Sequence, residues 1–353
     1  MTETVRAFGP GRVNLIGEHT DYNGGLALPF AISDGVTVVA TARGDERLEV
    51  IARDLDDSDS FSLLDPEPVR GWRAFARGAV AELRQAGFEL RGARLEISGS
   101  VPRGSGLSSS AALEVALTLG LLAISDIEVP DRLDLARICS RIENEWVGAQ
   151  TGLLDQIASL CSEPGRALRV DFSSLAVEPV PLRLDGYSLA TLDSGERHAN
   201  AGPDDEGDDP GAGYNQRRAE CARACELLGV DSLRAASAES AAALPPPLNA
   251  RVRHVITENE RVEATVAALA AGDLERVGDL LNRSHASLRD DYEISTPAVE
   301  ETVSRFRDAG AIGARIVGGG FGGHVLGLLA PGREPPAGAL VVEPGRGAHV
   351  SAA

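Results

Sequence analysis

The chain contains no lysine, so arginine supplies all 34 of its permanently basic side chains. This absence excludes three kinds of site that need a lysine amine: the Walker-type P-loop, the strand lysine of protein kinases and the Schiff base of imine-forming enzymes. A phosphate site in this protein must therefore use backbone N–H groups, arginine side chains or a metal ion.

Cysteine and long apolar runs are also scarce. The four cysteines have no cysteine or histidine partners at zinc-finger spacing, so we expect reduced structural thiols at Cys139, Cys161, Cys221 and Cys225. The first residues lack the apolar stretch of a signal peptide, and no apolar run reaches the roughly 20 residues of a membrane span. These observations predict a cytoplasmic protein.

Positive charge is in short supply as well. The 34 basic residues face 53 acidic ones, which gives a formal net charge of -19. Such a surface repels phosphate backbones and anionic lipids, so we expect neither nucleic-acid nor membrane partners. We expect a monomer whose partners are small molecules.

The length and apolar content set the scale of the fold. The chain has 353 residues, of which 43% are hydrophobic, enough for a core in one large domain or two ordinary ones. Strand and helix patterns mix without a regular βαβ rhythm, which favours an α+β fold. We place a domain boundary near residue 185, giving units 1–185 and 186–353.

Apolar periodicity and turn residues predict the individual elements. The predicted strands are Val36 to Arg43, Leu48 to Arg53 and Ala93 to Pro102, with a hairpin of Ala314 to Val317 and Val325 to Leu329. The predicted helices are Trp72 to Gly87, Ser110 to Ile124, Arg132 to Val147, Tyr214 to Leu228, Arg253 to Leu281 with a break at Gly272, and Pro297 to Ala309.

A glycine- and serine-rich run, Gly104 to Ser110 (GSGLSSS), separates a predicted strand from a predicted helix. Gly104 and Gly106 allow the backbone to approach a ligand closely, and the helix start presents unpaired N–H groups at the positive end of its dipole. Serine hydroxyls in this position can also ligate Mg²⁺. An ordinary N-cap serine after a glycine turn is the structural alternative, but three serines, two glycines and an abrupt change to helix favour phosphate binding.

A second polar cluster lies near the N-terminus, in Gly11 to Gly25. Between apolar anchors it concentrates donors and acceptors on Arg12, Asn14, Glu18, His19, Asp21 and Tyr22. A polyhydroxylated ligand such as a sugar needs several fixed hydrogen bonds, which this set can supply. A solvated loop with a satisfied buried histidine is the alternative, and the density of charged groups favours ligand binding.

Two acidic residues, Glu143 and Asp155, are separated by a turn that contains Gly148 and Gly152. Both could therefore face one cleft. A carboxylate pair beside a triphosphate suggests one metal ligand and one group for the acceptor hydroxyl. Acidic residues on helices are usually surface residues, so this interpretation depends on the other motifs.

A glycine cluster near the C-terminus matches the dinucleotide-binding pattern. Gly318, Gly320 and Gly323 satisfy G-x-G-x-x-G, and Glu343 follows about 20 residues later. We nevertheless reject an NAD-dependent oxidoreductase, because the Pro-Gly and Pro-Pro pairs that follow leave too few residues for a crossover helix. A close-packed hairpin or a loop near a nucleotide is the better interpretation.

Together the motifs resemble the galactokinase family of the GHMP kinase superfamily. The run GRVNLIGEHTDYNGG is similar to the galactokinase signature, GSGLSSSAALEVA to the superfamily's ATP-binding motif and RIVGGGFGGHV to its third motif. SHASLRDDYEIS and YNQRRAEC also resemble galactokinase segments. The resemblance extends from residue 6 to about residue 330, and the EHTDY and SHASLRDDYE runs narrow it from the superfamily to galactokinases.

The resemblance implies a two-domain GHMP kinase fold of the α+β class, with an N-terminal ribosomal-protein-S5-like domain and a C-terminal ferredoxin-like domain. It implies an ATP-dependent sugar 1-kinase that transfers the γ-phosphoryl group of ATP to the 1-hydroxyl of α-D-galactose. The products would be galactose 1-phosphate and ADP, in the first step of galactose catabolism by the Leloir pathway. ATP and Mg²⁺ are the implied cofactors.

By motif position the resemblance also implies residue roles. Asp155 matches the catalytic aspartate, Arg12 its partner arginine, and Glu143 and Ser110 the Mg²⁺ ligands. The implied sugar contacts are Glu18, His19, Asp21, Gly152 and Tyr214. The implied triphosphate contacts are Gly104, Ser105, Gly106, Leu107, Ser108, Ser109 and Ser110. Trp72 resembles an aromatic residue that stacks near the adenine, and a core tryptophan on a helix fits it about equally well.

Arg12 beside Asp155 would favour an ionised carboxylate, which could accept the hydroxyl proton or orient the hydroxyl. Other functions stay open: a kinase for a related sugar, or a sugar- and ATP-responsive sensor without turnover. The intact run Leu107 to Ala112 favours an enzyme over a sensor. A kinase of mevalonate or homoserine is disfavoured, because those acceptors lack a ring of hydroxyls to satisfy Glu18 to Asp21.

Overall fold

The computed structural model describes residues 3–101, 106–149, 151–196 and 212–352. The strands are β1 (Thr4–Asn14), β2 (Leu26–Ala27), β3 (Pro29–Ala42), β4 (Arg47–Ala52), β5 (Asp57–Ser62), β6 (Ala93–Gly99), β7 (Arg166–Asp171), β8 (Ala176–Pro181), β9 (Ser188–Asp193), β10 (Ala311–Ile316), β11 (His324–Leu329), β12 (Leu340–Val342) and β13 (His349–Ala352). The helices are α1 (Arg73–Gln85), α2 (Ser109–Ile124), α3 (Arg132–Arg141), α4 (Leu154–Cys161), α5 (Ala212–Leu228), α6 (Ala238–Ala242), α7 (Leu248–Ala271), α8 (Leu274–Asp290) and α9 (Pro297–Asp308).

These strands form three sheets. The largest has the order β13-β1-β3-β6-β4-β5, the second β10-β11-β9-β12 and the third β2-β7-β8. All pairings are antiparallel except that between β4 and β6. Largely antiparallel sheets with separate helical layers confirm the predicted α+β class.

Helix α2 packs across β1 and β3 of the largest sheet. Along β3 the side chains alternate, so that Val36, Val38 and Ala40 are buried on the helix side. Gly9 of β1 lies so close to the backbone of Ala112 that a Cβ there would overlap its carbonyl oxygen. This close approach brings the N-terminus of α2 beside the C-terminal end of β1.

The two ends of the chain share structure. Strand β13, the last described strand, pairs with the first strand, β1, so both lie in the same sheet. A buried apolar cluster also joins Leu15 and Ile16 to residues of α7, α8 and β11. The domain boundary near residue 185 stays a prediction. Strand β13 follows that boundary in sequence but belongs to the sheet of the first unit.

Most predicted elements have counterparts within a few residues. The predicted break at Gly272 is confirmed, since this residue has a left-handed φ of 70° between α7 and α8. One detail differs from the prediction. The helix that begins at Arg132 changes to a π-helical turn, Ile142–Val147.

The C-terminal glycine cluster joins β10 to β11, which are antiparallel neighbours. A dinucleotide-binding fingerprint would instead begin a crossover helix to a parallel strand. The rejection of that fold is therefore confirmed. Within the described ranges, no helix has both the length and the apolar character needed to cross a membrane.

Candidate active site

Arg12 is aimed by an irregularity in β1. The pairing of β1 with β3 shifts register between Pro10 and Arg12, and such bulges re-aim side chains. The Arg12 backbone N–H donates to Leu107 O at 3.1 Å, and its Nη1 donates to Gly106 O at 2.5 Å. Strand β1 therefore holds the described end of the glycine loop at two points.

The other edge of the Arg12 guanidinium binds Asp155. Nε donates to Oδ1 at 2.6 Å and Nη2 to Oδ2 at 2.9 Å, a bidentate pair. Ser108 Oγ also donates to Asp155 Oδ2. Asp155 lies in the first turn of α4, so three segments that are far apart in sequence converge on one carboxylate.

The glycine loop turns sharply into α2. Gly106 has φ 72° and Ser108 φ 60°, both in the left-handed region, and Ser109 and Ser110 occupy the first positions of the helix. The start of α2 therefore lies beside the Arg12–Asp155 pair, and the first N–H groups of a helix are the donors that an anion site uses. Gly104 and Ser105 lie outside the described residues.

Glu143 lies on the π-helical turn and is buried, with 5% of its surface exposed. Its Oε2 accepts from Thr151 Oγ1 at 2.7 Å and from Gln156 Nε2 at 2.9 Å, and Ser110 hydrogen-bonds to the carboxylate. Burial raises the pKa of Glu143, and the charge of Asp155 adds to that effect. A cation beside Glu143 would stabilise the charged carboxylate and so offset the effects of burial and of Asp155 on its pKa.

The donor set at Glu143 fits a hard divalent cation. A serine hydroxyl and a carboxylate in direct contact are the oxygen ligands that Mg²⁺ takes from proteins, with phosphates and waters completing its shell. Among the residues that the structure describes, no cluster of three or more His, Cys, Asp or Glu could hold a metal alone. A site that depends on nucleotide phosphates needs no such cluster.

The segment after β1 is folded around Gly17, whose φ is 98°. Asn14 Nδ2 and Thr20 Oγ1 both donate to Gly17 O at 2.9 Å. Thr20 Oγ1 also bonds to Leu26 O at 2.8 Å, and Asn14 Oδ1 accepts from Leu28 N at 3.3 Å. These internal bonds fix the turn that carries Glu18, His19 and Asp21.

Glu18 is anchored by the C-terminal glycine segment. Its Oε1 accepts from Gly318 N at 2.9 Å and lies 3.1 Å from Nη2 of Arg315, a fully buried arginine of β10. Arg315 Nη1 also donates to the carbonyls of Asn14 and Leu15 at 2.9 and 3.0 Å. Arg315 was not among the predicted site residues, although a charged residue in the apolar run of β10 was the available signal.

His19 is neutral in this site, because burial lowers its pKa to about 3. Nε2 lies 3.2 Å from Gly319 O, and since a carbonyl can only accept, that nitrogen carries the proton. Nδ1 is then the acceptor of the Tyr22 hydroxyl at 2.7 Å. The imidazole also contacts the Tyr214 ring, with 5.4 Å between centroids.

Asp21 and Gly152 are in contact. A Cβ on Gly152 would overlap Asp21 Oδ2, so only glycine allows this approach. Burial raises the pKa of Asp21 to about 6, and the charges of Asp155 and Glu18 act in the same direction. The predicted sugar residues and the predicted catalytic aspartate therefore lie close enough to influence one another electrostatically.

Trp72 precedes α1 and lies beside β5. Its Nε1 donates to Asp57 Oδ2 at 3.0 Å, and the Arg73 guanidinium lies 5.2 Å from the ring centre. The ring also packs against the core of the first sheet. These contacts account for a structural role, and the adenine contact stays a prediction.

Family models of known proteins match the segments of the chain that form this site. Family models match in three places: the GHMP kinases N terminal domain at residues 74–163, the galactokinase galactose-binding signature at residues 2–42 and the GHMP kinases C terminal domain at residues 265–341. The matched segments contain α2 and α4, the turn after β1, and the C-terminal glycine cluster.

Comparisons of the whole chain with individual proteins agree with these family matches. The chain is 42% identical to the galactokinase of Streptomyces coelicolor, over 91% of this chain and 83% of that protein. It is 43% identical to the galactokinase of Mycobacterium tuberculosis, over 94% and 90%. The structure of Lactococcus lactis galactokinase complexed with galactose superposes with a TM-score of 0.89 at 33% identity, covering 98% of this chain and 95% of that one.

Proposed function

The chain belongs to the galactokinase family of the GHMP kinases, and we propose that it transfers the γ-phosphoryl group of ATP to the 1-hydroxyl of α-D-galactose. The products are galactose 1-phosphate and ADP. The observation that carries this proposal is the bidentate Arg12–Asp155 pair, which lies between the start of α2 and the turn that bears Asp21. A phosphate-binding helix start, a carboxylate and a sugar-binding turn thus meet at one point.

Asp155 is the group that acts on the acceptor hydroxyl. Arg12 and Ser108 hold both of its oxygens, so its orientation is fixed before substrate binds. The Asp155 side chain accepts the hydroxyl proton or orients the hydroxyl toward the γ-phosphorus. A loose transition state requires little beyond this positioning. Arg12 also lies where its charge stabilises negative charge on the transferred group.

The described end of the glycine loop and the first turn of α2 bind the triphosphate. In the absence of lysine, the contacts come from backbone N–H groups and serine hydroxyls of Gly106 to Ser110, with Gly104 and Ser105 completing the predicted loop. Ser110 and Glu143 would hold Mg²⁺, which would supply positive charge to offset the negative charge of the triphosphate.

The sugar is bound by the turn after β1 and its neighbours. Glu18 and Asp21 supply carboxylate acceptors, and Gly152 leaves room for the Asp21 side chain. His19 and Tyr214 form the aromatic wall of this end of the site. A monomeric state and a cytoplasmic location stay predictions.

The test is an ADP-release assay with Mg²⁺-ATP and a panel of acceptors: galactose, talose, 2-deoxygalactose, glucose, mannose and mevalonate. We expect galactose to give the highest kcat/KM. Asp155→Asn keeps the size of the side chain but removes the negative charge, and should lower kcat about 10²- to 10⁴-fold.

Asp279→Asn provides a matched control, because Asp279 is half-exposed on α8 and pairs only with surface arginines in the described part of the chain. It should keep full activity. No turnover with any hexose, or full activity of Asp155→Asn, would overturn the proposal. Binding of both substrates by the wild type without turnover would instead identify a sensor.

A further inference from the structure

A buried amide joins two carboxyl groups beneath the active site. Gln156 Nε2 donates to Glu143 Oε2 at 2.9 Å and to Glu114 Oε2 at 3.1 Å. Glu114 and Gln156 are fully buried, and Glu143 is 5% exposed. Glu114 belongs to α2, Gln156 to α4 and Glu143 to the π-helical turn, so this one amide joins all three elements.

Packing alone does not account for Glu114. Its neighbours on α2 include the buried Ala111, Val115 and Leu117, and an apolar side chain would suit this position better. Burial raises the pKa of Glu114 well above its ordinary value, and its Oε1 has no hydrogen-bond partner among the described residues. A buried polar side chain that is only partly satisfied needs an explanation other than stability.

The hydrogen bonds of Gln156 supply an explanation for the buried Glu114. In the described residues the Gln156 amide is held only through Nε2, and its Oε1 has no partner. The carboxyl group of Glu114 is the acceptor that keeps Nε2 on the side of Glu143. Without that acceptor one of the two N–H groups on Nε2 would be buried without a partner, and the Gln156 side chain could move away from Glu143 to satisfy it.

We propose that Glu114 is a positioning residue for phosphoryl transfer: it fixes the rotamer of Gln156, which in turn orients the Glu143 carboxylate toward Mg²⁺. This inference depends on the proposed function, in which Glu143 is a Mg²⁺ ligand. Outer partners that orient metal ligands are worth about 10- to 100-fold in metal affinity. Gln156 directly follows Asp155, so the same contact also stabilises the first turn of α4.

The test compares Glu114→Leu, which removes the acceptor, with Glu114→Gln, whose amide oxygen can still accept from Gln156. Mg²⁺ binding is measured by calorimetric titration of the protein saturated with the non-hydrolysable ATP analogue adenylyl imidodiphosphate. We expect Glu114→Leu to raise the Kd for Mg²⁺ about tenfold or more, with Glu114→Gln within about twofold of wild type. The KM for galactose should stay unchanged in both.

Thr118→Val is the matched control for a polar loss in the same helix. Thr118 is fully buried on α2, one turn after Glu114, and bonds to backbone carbonyls and Cys139. It should lower the melting temperature without changing Mg²⁺ affinity. If Glu114→Leu does not fold, Gln156→Met carries the test, with the same expected loss of Mg²⁺ affinity.

Wild-type Mg²⁺ affinity in a folded Glu114→Leu or Gln156→Met variant would overturn the inference. Equal damage by Glu114→Gln and Glu114→Leu would also overturn it, because the accepting oxygen would then not be what matters. Failure of the wild type to bind Mg²⁺ with nucleotide or to phosphorylate a sugar would refute the proposed function itself, so the two failures are distinguishable.

Discussion

The two carboxylates that flank the start of α4 differ in how the protein balances their charge. Asp155 forms a bidentate ion pair with Arg12. Glu143 is more deeply buried, and in the described residues its hydrogen-bond donors are all neutral: Thr151, Gln156 and Ser110. Among the described residues, a side-chain cation therefore pairs with Asp155, and none pairs with Glu143.

The difference teaches what each carboxylate can do. A carboxylate with a built-in counter-charge is ionised and oriented before substrates arrive, which suits a group that acts on a hydroxyl. A buried carboxylate with only neutral partners has a high-energy charged form, so its free energy falls when an external cation binds. The two environments therefore support the proposed roles, in which Asp155 acts on the sugar hydroxyl and Glu143 binds the metal.

The largest expected effect comes from removing the built-in cation. Arg12→Met leaves Asp155 without its counter-charge and releases the carbonyl of Gly106, and we expect kcat to fall about 10³-fold. Arg12→Lys keeps the charge but loses the bidentate geometry, so its loss should be smaller. The measurement is kcat at saturating galactose and Mg²⁺-ATP, with thermal unfolding as a check on folding. Wild-type kcat in both variants would show that the pair is structural.

A smaller effect is expected from Glu143→Gln. This variant should bind Mg²⁺ more weakly but should be more stable without metal. The variant loses an anionic ligand, so Mg²⁺ affinity in the presence of nucleotide should fall about 10- to 100-fold. Because burial raises the pKa of Glu143, the ionised form destabilises the metal-free protein above the pH at which it deprotonates. Removing that charge should therefore raise the Tm of the metal-free protein at a pH above the raised pKa of Glu143.

The control for this variant is the pH dependence of the same comparison. The gain in Tm should shrink as pH falls, because wild-type Glu143 is then protonated and resembles the glutamine. Added Mg²⁺ and nucleotide should reverse the order of the two Tm values. A Glu143→Gln variant that is less stable at every pH would contradict the assignment of Glu143 as an unbalanced charge.

Much of this site was predictable because its parts are local in sequence. The glycine-serine run before a helix and the polar run after β1 each carry a physical signature within about 15 residues. The antiparallel hairpin at Gly318 to Gly323 was also predictable, since the prolines that follow exclude a crossover helix. The fold class followed from the same local patterns.

What the sequence did not reveal depends on contacts between distant segments. The support of Glu18 by Arg315 joins residues about 300 positions apart, and no periodicity marks such a pair. The π-helical turn that carries Glu143 inserts one residue into an otherwise regular helical pattern. Glu114 appeared as one residue of an Ala- and Leu-rich helix, and only its burial distinguishes it from a surface glutamate.

The smallest expected effect concerns Asp21, a third carboxyl group of the site whose charge is disfavoured by burial. Burial raises its pKa from an ordinary 3.8 to about 6, and the charges of Asp155 and Glu18 add to the effect. Below about pH 6 the carboxyl is protonated and loses an acceptor for the sugar, so the KM for galactose should rise a few-fold between pH 7 and 5, with a smaller change in kcat.

The stability of the protein should change in the opposite direction, over an overlapping range of pH. Between about pH 4 and 6 the native state holds a proton on Asp21 that the unfolded state releases, so stability falls as pH rises through this window. Asp21→Asn removes the titration, and its Tm advantage over the wild type should therefore appear above pH 6 and vanish near pH 4. A KM that is flat from pH 7 to 5, with Asp279→Asn as the surface control, would show that Asp21 has its charge balanced as Asp155 does.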